Sequence, residues 1–219
     1  MRPVPWLALV ASAVAISTMS AAQVAPTASD LAARIQAHYA RVSDFTADFT
    51  QTQSSPLLPK GRTDRGTVKI KKPLRMRWTY ATSDKQEFVS DGTMLYFYVP
   101  ADRRLDKSRL PKAGETSTAL LFLAGRGDLT KDFVASAPGE QPPGEWRLVL
   151  RPVAGRQADF TTLTLEVART SLEWRGLAIE DDQAGTMSRM RFTNLRENRN
   201  LADRDFAFVP PKGVEIYER

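Results

Sequence analysis

The sequence predicts an α+β fold dominated by an antiparallel sheet, and two observations carry that prediction. Along residues 74–80 apolar side chains alternate with Arg75, Arg77 and Thr79, which is the period of a strand with one apolar and one basic face. The turn signal Asp91-Gly92 then leads into residues 93–99, where both faces are apolar or aromatic. A sheet with so much apolar surface needs a cover.

A helix and a first strand are expected ahead of this region. Residues 31–42 space their apolar side chains as a helix does, and Thr27 or Ser29 can cap its start. Residues 45–49 then alternate as a strand. Residues 54–64 contain two prolines and a glycine and predict a loop before the strand at 66–71, after which Pro73 indicates a corner at a sheet edge.

Four more strands are expected in the C-terminal half of the chain. Alternating apolar residues mark 146–150, 163–167, 177–179 and 190–192, and the turn at 182–185 joins the last pair as a hairpin. No repeat or long linker interrupts these elements. They indicate one α+β domain with an antiparallel sheet.

A short helix at residues 116–124 is the least usual element. It is closed by Gly125 and has no polar face, because it presents in succession Leu120, Leu121, Phe122 and Leu123. Such a helix is either a fixed part of the core or a lid over apolar surface, for which residues 125–127 would be the hinge.

The first 22 residues have the pattern of a cleaved secretory signal. Arg2 precedes an apolar run from Trp6 to Met19, and small residues follow at 20–22. The run is shorter than the roughly 20 apolar residues that span a bilayer, and an uncleaved anchor is the alternative. Residues 23–219 are then expected to form one secreted domain. It contains no cysteine, so a hydrophobic core must stabilise it without disulfides.

The residues that most enzymes and metal sites require are scarce in this chain. His38 is the single histidine, cysteine is missing, and no serine sits in a Gly-x-Ser-x-Gly turn. We therefore expect no enzyme activity, no catalytic residue, no metal and no cofactor.

The formal net charge of +6 suits an anionic membrane surface or an acidic protein partner. No basic run is interleaved with exposed aromatics, so we expect no nucleic-acid partner. The basic face formed by Lys69, Lys71, Arg75 and Arg77 is either a docking surface for a membrane partner or the solvated face of the sheet.

Several motifs follow one another in a specific order over nearly the whole secreted chain. They are Phe45-x-Ala-x-Phe49-x-Gln51, Gly66 before Lys71-Lys72-Pro73 and Trp78, Val89-Ser90-Asp91-Gly92 before Leu95-Tyr96-Phe97-Tyr98, and Phe206-x-Phe208-x-Pro210-Pro211-x-Gly213-Val214. This order resembles the periplasmic outer-membrane lipoprotein carriers, the LolA-like proteins.

The resemblance implies an open, strongly curved antiparallel half-barrel, with short helices covering an apolar concave face. It implies a periplasmic monomer that takes acylated lipoproteins from an ATP-driven extractor in the inner membrane and passes them to an outer-membrane acceptor. Lys72 stands where family members commonly carry the arginine implicated in holding the lid closed, and a lysine would clamp more weakly. Met76 replaces a frequent aromatic. A carrier of another lipid or glycolipid, or a lipid-sensing module of the same fold, is the alternative.

The candidate lining of an acyl-chain cavity consists of the inward residues of the predicted strands. Each could equally be an ordinary core residue, since the inward residues of any sheet look alike. The set is Phe49, Leu74, Met76, Trp78, Phe88, Leu95, Phe97, Leu148, Leu150, Leu163, Leu165, Ile179, Met190 and Phe192.

Overall fold

A computed structural model describes residues 25–82, 85–110, 122–155 and 158–218. The predicted signal segment and residues 116–121 of the predicted lid helix, including Leu120 and Leu121, lie outside these ranges. No helix in the described ranges is long and apolar enough to cross a membrane.

One antiparallel sheet forms most of the described chain. Its strands are β1 Asp44–Ser55, β2 Leu58–Lys71, β3 Arg75–Tyr80, β4 Glu87–Asp91, β5 Met94–Val99, β6 Arg104–Arg109, β7 Phe133–Ser136, β8 Glu145–Pro152, β9 Thr162–Ala168, β10 Trp174–Asp181, β11 Thr186–Glu197 and β12 Glu215–Glu218. Helices α1 Ala28–Ala40 and α2 Leu129–Asp132, with 3-10 turns at Pro100–Asp102 and Asp203–Phe206, complete the elements that the structure describes.

The sheet is open, which confirms the predicted fold class. Within the described residues the strand order is β12-β6-β5-β4-β3-β2-β1-β11-β10-β9-β8-β7, so β12 and β7 are the two edges. The pairs are antiparallel, except that β12 runs parallel to β6. The predicted turn at 182–185 joins β10 to β11, with Asp181 opposite Thr186.

Helix α1 begins where the sequence predicts. The Thr27 hydroxyl accepts a hydrogen bond from the Asp30 amide, which satisfies one of the free donors of the first turn. The helix buries Leu31, Ile35 and Tyr39 against the concave face of the sheet, each at 3% exposure or less. These three side chains lie on one face of the helix because of their spacing, and that face fills part of the half-barrel.

The predicted loop at 54–64 is wrong. Strands β1 and β2 continue through it and meet at a two-residue turn, with Ser55 opposite Leu58. The register of the two strands shifts next to this turn, between Gln53 and Ser55 of β1. On the facing strand β2, Gly61 has a φ of +70°. The segment lacks the alternation of a strand because its described side chains up to residue 63 are exposed or half-buried, so no buried face imposes a period of two.

The convex face of β2–β5 has a cover of its own, which we name the C-terminal strap, residues 201–208. Phe206 is fully buried there, and the Phe208 ring lies 5.4 Å from that of Tyr96 and 5.8 Å from that of Tyr98. The strap explains why residues 93–99 are apolar on both faces.

The strap also corrects the predicted docking surface. Lys69 pairs with Asp205 at 3.1 Å, and Lys71 pairs with Asp203 at 2.5 Å. Arg77 donates to the carbonyls of Asp205 and Ala207, and Arg75 lies 3.6 Å from Asp203. These four side chains hold a segment of their own chain and do not form a free basic surface.

Acid should loosen the strap. Hydrogen bonds from Lys71 and Lys69 lower the pKa of Asp203 and Asp205 below the ordinary 3.8. A carboxylate with a lowered folded pKa contributes stability above its unfolded pKa and loses it as the pH falls through the folded pKa. We expect the melting temperature to fall less steeply below pH 3.8 in an Asp203→Asn/Asp205→Asn variant than in the parent chain. Thermal melts across that range check this, and parallel curves would contradict it.

Candidate functional site

The concave face of the sheet divides into a filled half and an open half. In the filled half the predicted lining residues are core, packed under α1 and its neighbours at 3% exposure or less. They are Phe49, Met76, Trp78, Leu148, Leu150, Leu163, Leu165, Met190 and Phe192. Leu74 and Ile179 are partly buried and pack against the same core.

An aromatic cluster forms the middle of this face. The Phe49 ring meets those of Trp78 and Tyr80 edge-on, at centroid distances of 5.2 and 5.1 Å, and Phe192 lies 6.3 Å from Trp78. Gly66 lies opposite Phe49 in the β1–β2 register. A Cβ there would be 2.8 Å from the Phe49 ring and 2.1 Å from the Thr79 carbonyl oxygen, so only glycine leaves room for the cluster.

The open half lies on β4, β5 and β6. Phe88 pairs with Trp78 on one side and with Phe97 on the other, so the three side chains share the concave face. Phe97 is 36% exposed, and Phe88 and Leu95 are half-buried. These three residues line a cavity of about 380 Å³ with Asp106, Lys107 and Ser108.

A short turn at residues 122–125, which we name the cover turn, closes the filled half. Phe122 and Leu123 of the predicted lid helix are helical here and buried, and the Phe122 ring lies 6.0 Å from Tyr39 and 6.1 Å from Trp174. Among the described residues, two hydrogen bonds tie the turn to α1 and to the residue before β3. The Tyr39 hydroxyl donates to the Leu123 carbonyl, and the Leu74 amide donates to the Ala124 carbonyl at 2.8 Å.

Lys72 contacts both Tyr39 and the cover turn. Its ammonium donates to the Tyr39 carbonyl and lies 4.0 Å above the centre of the Tyr39 ring. Its aliphatic stem packs so closely on Gly125 that a Cβ there would come within 2.6 Å. Burial lowers the pKa of Lys72, and the nearby Glu197 opposes that shift. Lys72 thus reaches the cover turn through Tyr39 and through packing on Gly125.

Tyr39 is the residue that the sequence did not single out. Its position in α1 marks it only as a core residue, because the partner of its hydroxyl lies 84 positions later in the chain. Burial, with a smaller contribution from Glu197, raises the pKa of Tyr39 well above its ordinary value.

The distal end of the concave face is polar. The Tyr80 hydroxyl donates to Gln51 at 2.7 Å, and the Gln51 amide donates to Ser188 at 2.8 Å. Burial raises the pKa of Tyr80 to about 12, and Asp64 adds to that shift. Gln51 is 3% exposed, and both its side-chain oxygen and its side-chain nitrogen are hydrogen-bonded, so a polar network closes this end of the apolar face.

His38, the single histidine of the sequence, contacts an acidic side chain. Its Nε2 lies 3.0 Å from Glu197, which ties the end of α1 to the end of β11. The described residues contain no group of three or more His, Cys, Asp or Glu side chains that could hold a metal ion.

Fold and site together define a class of protein. An open half-barrel with helical pieces over part of an apolar concave face, and with an aromatic surface left in contact with water, is suited to sheltering an apolar ligand. The family model for the outer membrane lipoprotein carrier protein LolA matches residues 40–209, and the chain belongs to that family.

Named relatives agree with the family. The chain is 29% identical over 197 residues to the outer-membrane lipoprotein carrier protein of Ralstonia nicotianae, covering 85% of this chain and 86% of that one. It is also 29% identical over 207 residues to the outer-membrane lipoprotein carrier protein of Bordetella avium, covering 92% of this chain and 94% of that one. An uncharacterized conserved protein from Thermus thermophilus shares the fold, with a TM-score of 0.54 at 12% identity, over 86% of this chain and 99% of that one.

Proposed function

We propose that this protein carries lipoproteins across the periplasm by sheltering their acyl chains on the open half of the concave face. The observation that supports this most directly is the half-exposed set Phe88, Leu95 and Phe97 beside a 380 Å³ cavity, in a member of the lipoprotein carrier family. A folded protein gains nothing in stability by leaving such a set in water, so its retention fits a ligand.

The energetics of such carriage require moderate binding. Each methylene group taken from water contributes about 0.8 kcal/mol, so acyl chains would hardly leave the protein for water. The competing phase is the bilayer, which is as apolar as the cavity. Transfer between bilayer and carrier is therefore near neutral for the chains, and small differences in fit decide the direction.

The proposal includes a compartment and two partners. We infer that residues 1–22 are a cleaved signal and that residues 23–219 act as one periplasmic monomer. An ATP-driven extractor in the inner membrane would supply the lipoprotein, and an acceptor at the outer membrane would receive it. The match to the carrier family supports the compartment and the partners, and the apolar run followed by small residues supports the signal.

Cargo size implies that the cover turn moves. A cavity of 380 Å³ is at the low end for small-molecule pockets, which span about 300–1,000 Å³, and a lipoprotein carries more than one acyl chain. The remaining apolar surface lies under α1 and residues 122–124. Exposing more of it requires breaking the Tyr39–Leu123 and Leu74–Ala124 hydrogen bonds.

Tyr39→Phe should therefore loosen the cover turn. Removal of the hydroxyl leaves the buried Leu123 carbonyl without this donor and costs about 1–2 kcal/mol of stability. We expect faster hydrogen exchange at the Gly125 amide, which is bonded to Phe122, and faster uptake of lipopeptide.

Tyr80→Phe is the matched control, because it removes a hydrogen-bonded hydroxyl from another tyrosine, partly buried on the same face and remote from the cover turn. It should cost similar stability without changing exchange at Gly125. Equal acceleration of that amide in both variants would mean that the cover turn opens only with the whole fold.

The carrier role itself is tested by mass spectrometry of the protein purified from a periplasmic extract. We expect bound lipopeptides whose fragments contain an acylated cysteine. A free lipid or glycolipid as the bound species would contradict lipoprotein carriage and favour a carrier of that lipid.

A further inference from the structure

An apolar protrusion lies at the far end of the first hairpin, at residues 56–58, which we name the hairpin tip. Leu57 is 96% exposed, more than any other large apolar side chain that the structure describes, and Leu58 is 40% exposed. Met187, at 38%, lies at the same end of the sheet, opposite Ser54. Single exposed apolar residues are ordinary, but Leu57 projects almost wholly into water, and two further exposed apolar side chains lie at the same end of the sheet.

Nothing in the fold requires leucine at this point. A two-residue hairpin turn favours Asn, Asp or Gly, whose backbones adopt turn conformations readily. The Leu57 side chain is almost wholly in water and so adds no core packing. The tip is nevertheless braced, because a Cβ on Gly185 of the β10–β11 turn would lie 3.1 Å from the Pro56 ring. The fold therefore holds Leu57 outward.

We propose that the hairpin tip inserts into the interface of an anionic lipid bilayer. A protruding side chain without a surrounding rim fits a fluid phase, which needs no preformed pocket. One small apolar anchor gives only weak, reversible binding, and a second attraction is needed for useful affinity. The chain's positive net charge supplies it, at +6 for the full sequence and +5 without Arg2 of the signal segment, because a positively charged protein is drawn to an anionic surface.

Local charges around the tip are mixed. Lys60 is exposed on β2 next to the tip, and Arg62 pairs with Asp64 at 2.7 Å. On the neighbouring turn the Asp181 carboxylate accepts hydrogen bonds from the amides of Gln183 and Ala184, at 3.0 and 3.2 Å. The electrostatic attraction is therefore a property of the whole molecule, and salt should weaken bilayer binding without abolishing the contribution of Leu57.

The absence of cysteine from the sequence makes a site-specific test possible. Leu57→Cys and Val209→Cys each carry one environment-sensitive fluorophore, and Val209 is the control because it is 82% exposed on the C-terminal segment. With vesicles of phosphatidylethanolamine and phosphatidylglycerol, the label at 57 should shift to shorter wavelength and be quenched by brominated acyl chains. The label at 209 should not respond. No response at 57, or an equal one at both positions, would overturn the proposal.

Leu57→Ser gives a second, label-free readout. We expect its binding in vesicle flotation to fall about tenfold, the effect of roughly two buried methylene groups, while Val209→Ser binds as the parent chain does. Unchanged flotation together with slower delivery to a membrane-anchored acceptor would show that the tip contacts a protein instead and would overturn bilayer insertion. The flotation experiment contains no lipoprotein, so its result does not depend on the proposed carrier function.

Discussion

The Phe97→Glu variant is expected to fold as the parent chain does and to lose at least about a hundredfold in affinity for an acylated peptide. Phe97 is 36% exposed, so the free protein can hydrate a carboxylate at this position. Bound acyl chains would strip that water away, and desolvating an unpaired charge costs several kcal/mol. Titration of a fluorescent lipopeptide measures the loss, with circular dichroism to verify folding.

Two controls separate this effect from a general effect of charge. Phe97→Leu keeps an apolar side chain and should bind nearly as well as the parent. Val134→Glu places the same carboxylate on edge strand β7, at a position 62% exposed, and should leave binding unchanged. Trp78→Glu is unsuitable, because Trp78 is 1% exposed and its replacement would report on folding. Normal binding by Phe97→Glu would show that the acyl chains do not bind on the open half.

Gly66→Ala should be among the most destabilising single changes in the chain, at about 3 kcal/mol or more. The added methyl would meet the Thr79 carbonyl oxygen at 2.1 Å and the Phe49 ring at 2.8 Å. Backbone cannot move aside as a flexible side chain can, so β2 and β3 must separate or Phe49 must leave the aromatic cluster. Denaturant unfolding measures the free-energy loss.

Gly139→Ala is the matched control, since a Cβ at that position meets nothing within 4 Å. It should change the free energy of unfolding little. Equal stability of the two variants would contradict this account, because it would show that the close packing of Phe49 on Gly66 contributes little to stability.

Alternation along the chain was enough to predict most strands and which face of each is apolar. It could not show what lies opposite that face. Phe49 and Phe97 look alike in sequence, yet one is core under α1 and the other borders a cavity, because the cover reaches only part of the sheet. Long-range packing makes that distinction, and no local pattern contains it.

The basic face was misread for a similar reason. Lys69 and Lys71 have the spacing of a solvated strand face, but their partners Asp205 and Asp203 lie more than 130 positions later. Strand β12 was missed because its four residues are all exposed and show no buried face. The hairpin tip lacked a strand signal, and its leucines became notable only when the structure placed them in water.

Photo-crosslinking of a lipopeptide with a diazirine in its acyl chain tests the central claim most directly. After irradiation of the loaded carrier and peptide mapping, the proposed site predicts crosslinks on β4 and β5, at Phe88, Leu95 and Phe97. Under the same conditions the convex residues held by the strap, such as Arg75 and Arg77, should remain unlabelled. Crosslinks confined to the convex face or to the hairpin tip, with none on β4 and β5, would contradict carriage on the concave face.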